Sequence, residues 1–246
     1  MNMMEENSIF KSFTAQNGNM RRLLEKIERF VLEGIPFPST RGYAYIAKKS
    51  PFLRDGYSEV ARRVSRKLAK GRILDVGTGP GYLPIEIARL IDDVEVIGID
   101  VSEDTVRIAS KNSRKEGLES KVRFVVEDAN SMPYDDSSFD LVLSTGSFHH
   151  WKKPIRVLNE IYRVLKPGCE AWIYDLRKDA PAEDREKLKE RYGRFMGLLI
   201  YRLVTIHSGT TREELERVFM EPENRFKAYE IREDFPFILE AVLSKM

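Results

Sequence analysis

The stretch RILDVGTGPGYLPIEIA, residues 72–88, constrains the fold of this chain more than any other. Its short apolar run, Ile73 to Val76, reads as a buried strand. Glycines follow at 77, 79 and 81, and an apolar spacing suited to a helix begins at Leu83. A strand that turns directly into a helix is the first half of a βαβ unit. Without a Cβ, a glycine can take left-handed backbone in the turn and let a ligand reach the main chain. The helix behind the turn offers free N–H groups at its N-terminus. A tight turn with no ligand is the competing reading of this stretch taken alone.

The alternation continues. VEVIGID (94–100) reads as a second strand. Ser102 then caps a helix whose first turn holds Glu103 and Asp104, where the helix dipole favours acids, and Gly117 ends it. KVRFVVED (121–128) and FDLVLST (139–145) are strands three and four. IRVLNEIYRVL (155–165) is a helix ended by KPG, and EAWIYDL (170–176) is strand five. Mostly apolar strands separated by helices predict a parallel sheet covered on both faces. Ahead of this core, residues 20–34 place Leu23, Leu24, Ile27, Phe30 and Val31 at helical spacing. Residues 37–57 are aromatic-rich and irregular, and a helix capped by Ser58 is expected over 58–70. After the core, 180–207 reads as one or two helices, and Thr211 with Glu214 forms a capping box. RFKAYEI and FPFILEAVLSK close the chain as a predicted hairpin.

With 246 residues, 42% of them hydrophobic, the chain suits one α/β domain with additions. Lys and Arg number 41 against 39 Asp and Glu, so no global field draws in nucleic acid. The basic run RRVSRKLAKGR (62–72) reads first as a solvated helix face. A single cysteine, Cys169, excludes an intramolecular disulfide framework and a cysteine-based zinc cluster, and no metal is expected. MNMMEENSIFKSF lacks the apolar run of a signal peptide. FMGLLIY (195–201) is far short of the roughly 20 apolar residues of a membrane span. These features predict a soluble, cytoplasmic protein.

The glycine spacing narrows the ligand. The dinucleotide fingerprint needs Gly-x-Gly-x-x-Gly, but Tyr82 stands where its third glycine belongs. No Lys-Ser or Lys-Thr follows, so the loop is not a Walker loop. Asp100, ending strand two, can accept two hydrogen bonds from ribose hydroxyls. That also suits a nicotinamide cofactor, so Asp100 specifies a nucleoside only. Asp128, ending strand three, suits an adenine amino group. Three strand ends then line one pocket at the C-terminal edge of the sheet, where open α/β sheets bind ligands.

The ordered set ILDVGTGPGYLPIEIA, VIGIDVSEDTVRIA, VEDANSMPYDDSSFDLVLSTGSFHHW and EIYRVLKPGCEAWIYD resembles the class I S-adenosylmethionine-dependent methyltransferases. It is most similar to the small-molecule branch that includes quinone-biosynthesis enzymes. The match covers about residues 58–176. The resemblance implies a Rossmann-like, seven-stranded, mostly parallel α/β sheet in the order 3-2-1-4-5-7-6, strand seven antiparallel, with helices on both faces. It implies S-adenosyl-L-methionine as cofactor, S-adenosyl-L-homocysteine as product, and in-line methyl transfer. Asp75 and the loop Gly77, Thr78, Gly79 and Gly81 would hold the methionine end. Asp100 would bind the ribose, with Val101 beside it in the cofactor site. Asp128 would bind the adenine amino group and the Ala129 N–H the ring, with Met132 packing nearby. Ser144, Thr145 and Gly146 would border the sulfonium, and Tyr57 would approach the methionine end. Cys169 departs from a common Pro-Gly-Gly before strand five, which alters the turn. No Asn-Pro-Pro-Tyr motif follows strand four, so amino-methylation of nucleobases or glutamine loses support.

His149 and His150 after strand four, and Asp175 near the end of strand five, are the candidate proton-handling residues. The competing reading makes the histidines buried and hydrogen-bonded, or the start of a helix, and Asp175 a cap or surface acid. Residues 1–57 are expected to form a helical cap and 58–246 the methyltransferase domain, with 177–225 a helical insertion over the acceptor site. For any one of Tyr43, Tyr45, Tyr57, Phe195, Met196, Leu199, Ile200 and Tyr201 ordinary core packing is the first reading, while together an apolar lid would suit an apolar or aromatic small-molecule acceptor. His207 has no assigned role. RNA or protein methylation on the same fold, and a non-catalytic cofactor-binding protein, are the alternatives. No motif specifies the acceptor or an oligomeric state.

Overall fold

The structure is a computed structural model that describes residues 50–194, 197, 200, 201 and 209–246. The expected helix over 20–34, together with Tyr43, Tyr45, Phe195, Met196, Leu199 and His207, lies outside the described residues.

Helix α1 (Pro51–Lys67) starts earlier than the sequence predicts. Its N-cap is Ser50, whose hydroxyl accepts the Leu53 N–H at 3.4 Å, and not Ser58, which sits inside the helix. Ser50 followed by Pro51 explains the shift, because a capping hydroxyl and a proline at the first helical position together make a start signal. The other described elements are β1 (Lys70–Val76), α2 (Tyr82–Leu90), β2 (Asp93–Asp100), α3 (Glu103–Lys115), β3 (Val122–Val126) and β4 (Phe139–Thr145). They continue with a 3-10 turn (Phe148–His150), α4 (Pro154–Val164), β5 (Leu165–Leu176), α5 (Ala182–Tyr192), α6 (Arg212–Phe219), β6 (Ala228–Phe235) and β7 (Ile238–Ser244).

The seven strands form one sheet in the order β3-β2-β1-β4-β5-β7-β6. β7 runs antiparallel to both β5 and β6, and the other pairings are parallel. This is the expected topology, closing on the expected hairpin. β5 differs from expectation: it starts at Leu165, so the KPG segment lies inside the strand. Leu165 pairs with Phe139, the register then shifts, and Glu170 pairs with Leu141. Pro167 and Gly168 occupy that irregularity, where a missing donor and a φ of +75° at Gly168 are tolerated.

Two apolar cores flank the sheet. One includes Leu74, Val76 and Ile97 with Leu158 and Ile161 of α4 and Leu215 and Phe219 of α6. The other includes Ile73 and Val96 with Val60 and Val64 of α1 and Leu83 and Ile87 of α2. A third cluster joins Phe52, Leu188, Ile200 and Phe237, so the described apolar insertion residue Ile200 serves packing. The capping box at α6 is present in both halves: Thr211 Oγ1 accepts the Glu214 N–H and the Glu214 carboxylate accepts the Thr211 N–H. Among the described residues no helix is long and apolar enough to cross a membrane.

Candidate active site

The C-terminal ends of β1, β2, β3, β4 and β5 carry the candidate site. The β1–α2 turn is held from below: the N–H groups of Gly77 and Thr78 both donate to Ile99 O at 2.9 Å. Gly77, Gly79 and Gly81 all have positive φ, at 73°, 54° and 79°. Two of them also lack room for a side chain. A Cβ on Gly77 would lie 2.5 Å from Ser147, and one on Gly81 would lie 2.4 Å from the Phe124 ring. Backbone conformation and close approach both require glycine at these positions.

Asp100 is where the sequence analysis expects the ribose acid. Its Oδ2 accepts the Gly79 N–H at 3.1 Å and its Oδ1 the Ser102 N–H at 2.9 Å. Burial raises its pKa above the ordinary carboxylate range, and those two N–H groups pull it back down. Each oxygen keeps a second acceptor position, so the residue can still receive two hydroxyls. Val101 beside it is 72% exposed, an apolar surface open beside the carboxylate.

Asp75 is 1% exposed, and among the described residues no donor meets either carboxylate oxygen in good hydrogen-bond geometry, although the Thr78 hydroxyl lies near enough to act on its charge. Burial pushes the Asp75 carboxyl up to about 7, a rise the Thr78 hydroxyl tempers and the Asp100 charge reinforces. A buried acid with both acceptors unused is costly unless a donor arrives from outside the chain. The ammonium of an amino acid moiety is such a donor, so Asp75 fits the methionine end of the cofactor. Tyr57 on α1 packs its ring 6.2 Å from Tyr82, the first residue of α2, which places both beside the glycine turn.

Asp128 is exposed after β3, and Asn130 fixes it: the Asn130 N–H and side-chain amide both donate to Asp128 Oδ1, at 2.8 and 2.7 Å. These two bonds hold the Asp128 carboxyl below its ordinary range. Oδ2 remains for a ligand amino group. Ala129 and Met132 lie against the core below this loop.

At the end of β4, Ser144 is fully buried and its hydroxyl is 2.7 Å from Ser147 Oγ. Thr145 ends the strand, and Gly146 donates its N–H to Tyr174 O at 2.8 Å. The 3-10 turn then brings two of the three proposed proton-handling residues together. His149 Nδ1 lies 2.8 Å from Asp175 Oδ1, and the His149 backbone N–H donates to Asp175 Oδ2 at 2.8 Å. The Asp175 side chain is wholly buried. His149 Nε2 is buried and has no hydrogen-bond partner among the described residues. His150 makes no such contact; its ring packs on that of His149 at 3.9 Å. Partial burial, and then the neighbouring His149, hold His150 below the ordinary histidine range.

Sequence reasoning missed Ser147 and Asn130. Neither has a pattern to reveal it, because each acts on a residue that tertiary folding brings near or that a loop turns back upon. It also left Asp175 open between cap, surface acid and functional residue; the structure binds it to His149.

The methyltransferase domain family matches residues 67–221. Demethylmenaquinone methyltransferase from Porphyromonas gingivalis is 34% identical over 123 residues, 50% of each chain. The 27-O-demethylrifamycin SV methyltransferase of Amycolatopsis mediterranei is 33% identical over 155 residues, 60% of this chain and 57% of that one. A solved structure from Methanococcus maripaludis superimposes with a TM-score of 0.66 at 24% identity, covering 84% of this chain and 92% of that one, which shows the shared fold. This chain belongs to the methyltransferase domain family, and its sheet order and glycine loop are those of the class I, S-adenosylmethionine-dependent type. The chain spans about half the length of the curated relatives it matches.

Proposed function

We propose that this protein methylates a hydroxyl of a small apolar or aromatic acceptor, with S-adenosylmethionine as donor. The observation that carries the reading is the His149–Asp175 pair with its bare, buried Nε2. The cofactor supplies a methyl group on a positively charged sulfonium, ready for displacement by a nucleophile. Asp75 and the Gly77–Gly81 loop would hold its amino acid end, Asp100 and Val101 its ribose, and Asp128 with Ala129 its adenine. Ser144, Thr145 and Gly146, where β4 ends, would border the sulfonium.

The chain's own task is orientation and proton removal. An acceptor and a donor held in line at near-attack distance gain much of the required rate from proximity. A hydroxyl is a poor nucleophile until it loses its proton. Asp175 accepts the Nδ1–H of His149, which fixes the tautomer and leaves Nε2 as the base. Nε2 would take the proton of the acceptor hydroxyl, and Asp175 would stabilise the resulting imidazolium. An acceptor that is already an anion would not need this pair. The similarity to the rifamycin enzyme, whose name specifies an O-demethyl acceptor, fits the same chemistry.

The aromatic and aliphatic residues of 177–225, outside the 58–176 stretch that carries the motifs, would suit such an acceptor by their composition. Residues 62–72 give little support to an RNA acceptor, because Arg62, Arg63, Lys67 and Arg72 pair with Glu59, Glu240, Glu170 and Glu95. The absence of a membrane-length helix among the described residues accords with a soluble, cytoplasmic enzyme. The test is transfer from methyl-labelled S-adenosylmethionine into a panel of phenols, alcohols, amines and RNA. Label in hydroxylic acceptors supports the reading. Label only in amines, RNA or protein overturns it.

A further inference from the structure

The histidine turn is tied to its surroundings at three points. Gly146 N–H holds it to Tyr174 of β5, Asp175 holds His149, and Ser147 reaches across to β1. Ser147 Oγ donates to Val76 O at 3.2 Å, and since a hydroxyl has one proton, the 2.7 Å contact with Ser144 must be donated by Ser144. Val76 immediately precedes the cofactor loop. The side chain of Ser147 also occupies the volume that a Cβ on Gly77 would need, 2.5 Å from it. Loop and turn therefore interlock twice, by a hydrogen bond and by shape. Ser147 is in turn the residue from which the 3-10 helix starts, its carbonyl accepting the His150 N–H at 3.0 Å.

We infer that Ser147 is a positioning residue that couples the state of the cofactor loop to the orientation of His149. A ligand that settles residues 77–79 presses on the side chain and carbonyl that Ser147 holds, and Ser147 begins the turn that carries the imidazole. Ser147 touches neither acceptor nor methyl group in this role. The inference rests on the reading of His149 as the base.

The test uses full-length protein labelled with [15N]histidine and S-adenosylhomocysteine as probe, followed by long-range proton–nitrogen NMR of the imidazoles. His149→Gln assigns the resonances. The wild type should show His149 as the Nδ1–H tautomer, and saturation with S-adenosylhomocysteine should shift its Nε2 signal. Ser147→Ala should still bind the probe, yet lose most of that shift, which is the signature of a broken link between two sites. Ser147→Cys keeps the side-chain size but donates weakly, and serves if the alanine variant does not fold. An unchanged shift in the variant, or no shift in the wild type, overturns the coupling. An Nε2–H tautomer in the wild type overturns the base assignment instead, and the same shifts still judge Ser147.

Discussion

Asp175 grips His149 twice, taking the backbone N–H on Oδ2 and the ring Nδ1 on Oδ1, each at 2.8 Å. A carboxylate that binds both the main chain and the side chain of one residue fixes its position and its tautomer together. β4 ends just before the turn that carries His149 and β5 ends just after Asp175, so neighbouring parallel strands hold the pair in place. Replacing His149 with Gln should therefore lower kcat by about 10²–10⁴-fold. Asp175→Asn should cost on the order of 10²-fold or more by favouring the wrong tautomer. Neither change should much alter the affinity for S-adenosylhomocysteine. Steady-state kinetics with a hydroxylic acceptor, alongside calorimetric titration of the product, separates the two effects. Near-normal kcat in His149→Gln would remove the base from the mechanism.

Asp100 ties the glycine turn to the start of α3, accepting the Gly79 and Ser102 N–H groups. Asp100→Asn should weaken S-adenosylmethionine binding by about 10–100-fold, the worth of one or two charge-assisted hydrogen bonds. Asp100→Ala should do more harm, because it also frees the Gly79 and Ser102 N–H groups. Circular dichroism should show an unaltered fold in both. Wild-type affinity in either variant would contradict the ribose assignment.

Asp75 should make cofactor binding depend on pH. Its folded pKa, about 7, lies above the unfolded value of 3.8. Between those values the unfolded chain gives up this proton while the folded one keeps it. The free protein should thus lose stability as pH rises from about 4 to about 7, by a few kcal/mol from this group, and level off above. Ionised Asp75 is the form that attracts an ammonium, so cofactor affinity should rise through the same upper limit. Asp75→Asn should flatten both trends. Chemical denaturation and titration calorimetry at pH 5, 6, 7 and 8 check this; an affinity that falls with pH in the wild type would refute it.

A buried charge network away from the site sets the attachment of α1. Glu240, 1% exposed on β7, accepts from Tyr174 Oη at 2.9 Å and pairs with Arg63 of α1 at 2.6 Å. Burial, and then the Glu240 charge, push the Tyr174 hydroxyl far above its usual range, so it remains a donor. Glu240→Ala leaves the buried Tyr174 phenol and the partly buried Arg63 guanidinium without their acceptor and should cost about 1–3 kcal/mol. Urea denaturation should show the loss, with cofactor affinity per folded molecule little changed.

Much of this molecule is local in origin. The apolar strands, the glycine turn, Ser102 and Thr211 as caps, and the acids at the ends of β2 and β3 all act through neighbours in sequence, so spacing alone reveals them. The start of α1 was also written locally, in Ser50 and Pro51, although the clearer apolar spacing beginning at Val60 draws attention downstream. The bulge at Pro167–Gly168 was not legible, because it arises from the way β5 must meet β4 and then β7.

The sequence by itself determined the class of fold and narrowed the ligand to a nucleoside, since a turn between strand and helix needs its residues in fixed order; the resemblance to a family then implied which nucleoside. It also named His149, His150 and Asp175 as candidates without ranking them. Only the tertiary structure set their contacts, bringing Asp175 from 26 residues away to His149, leaving His150 on the outside, and placing Ser147 where Gly77 has no side chain. Contacts between strands that are distant in the chain carry no spacing signal, and their chemistry exists only once the sheet has set their register.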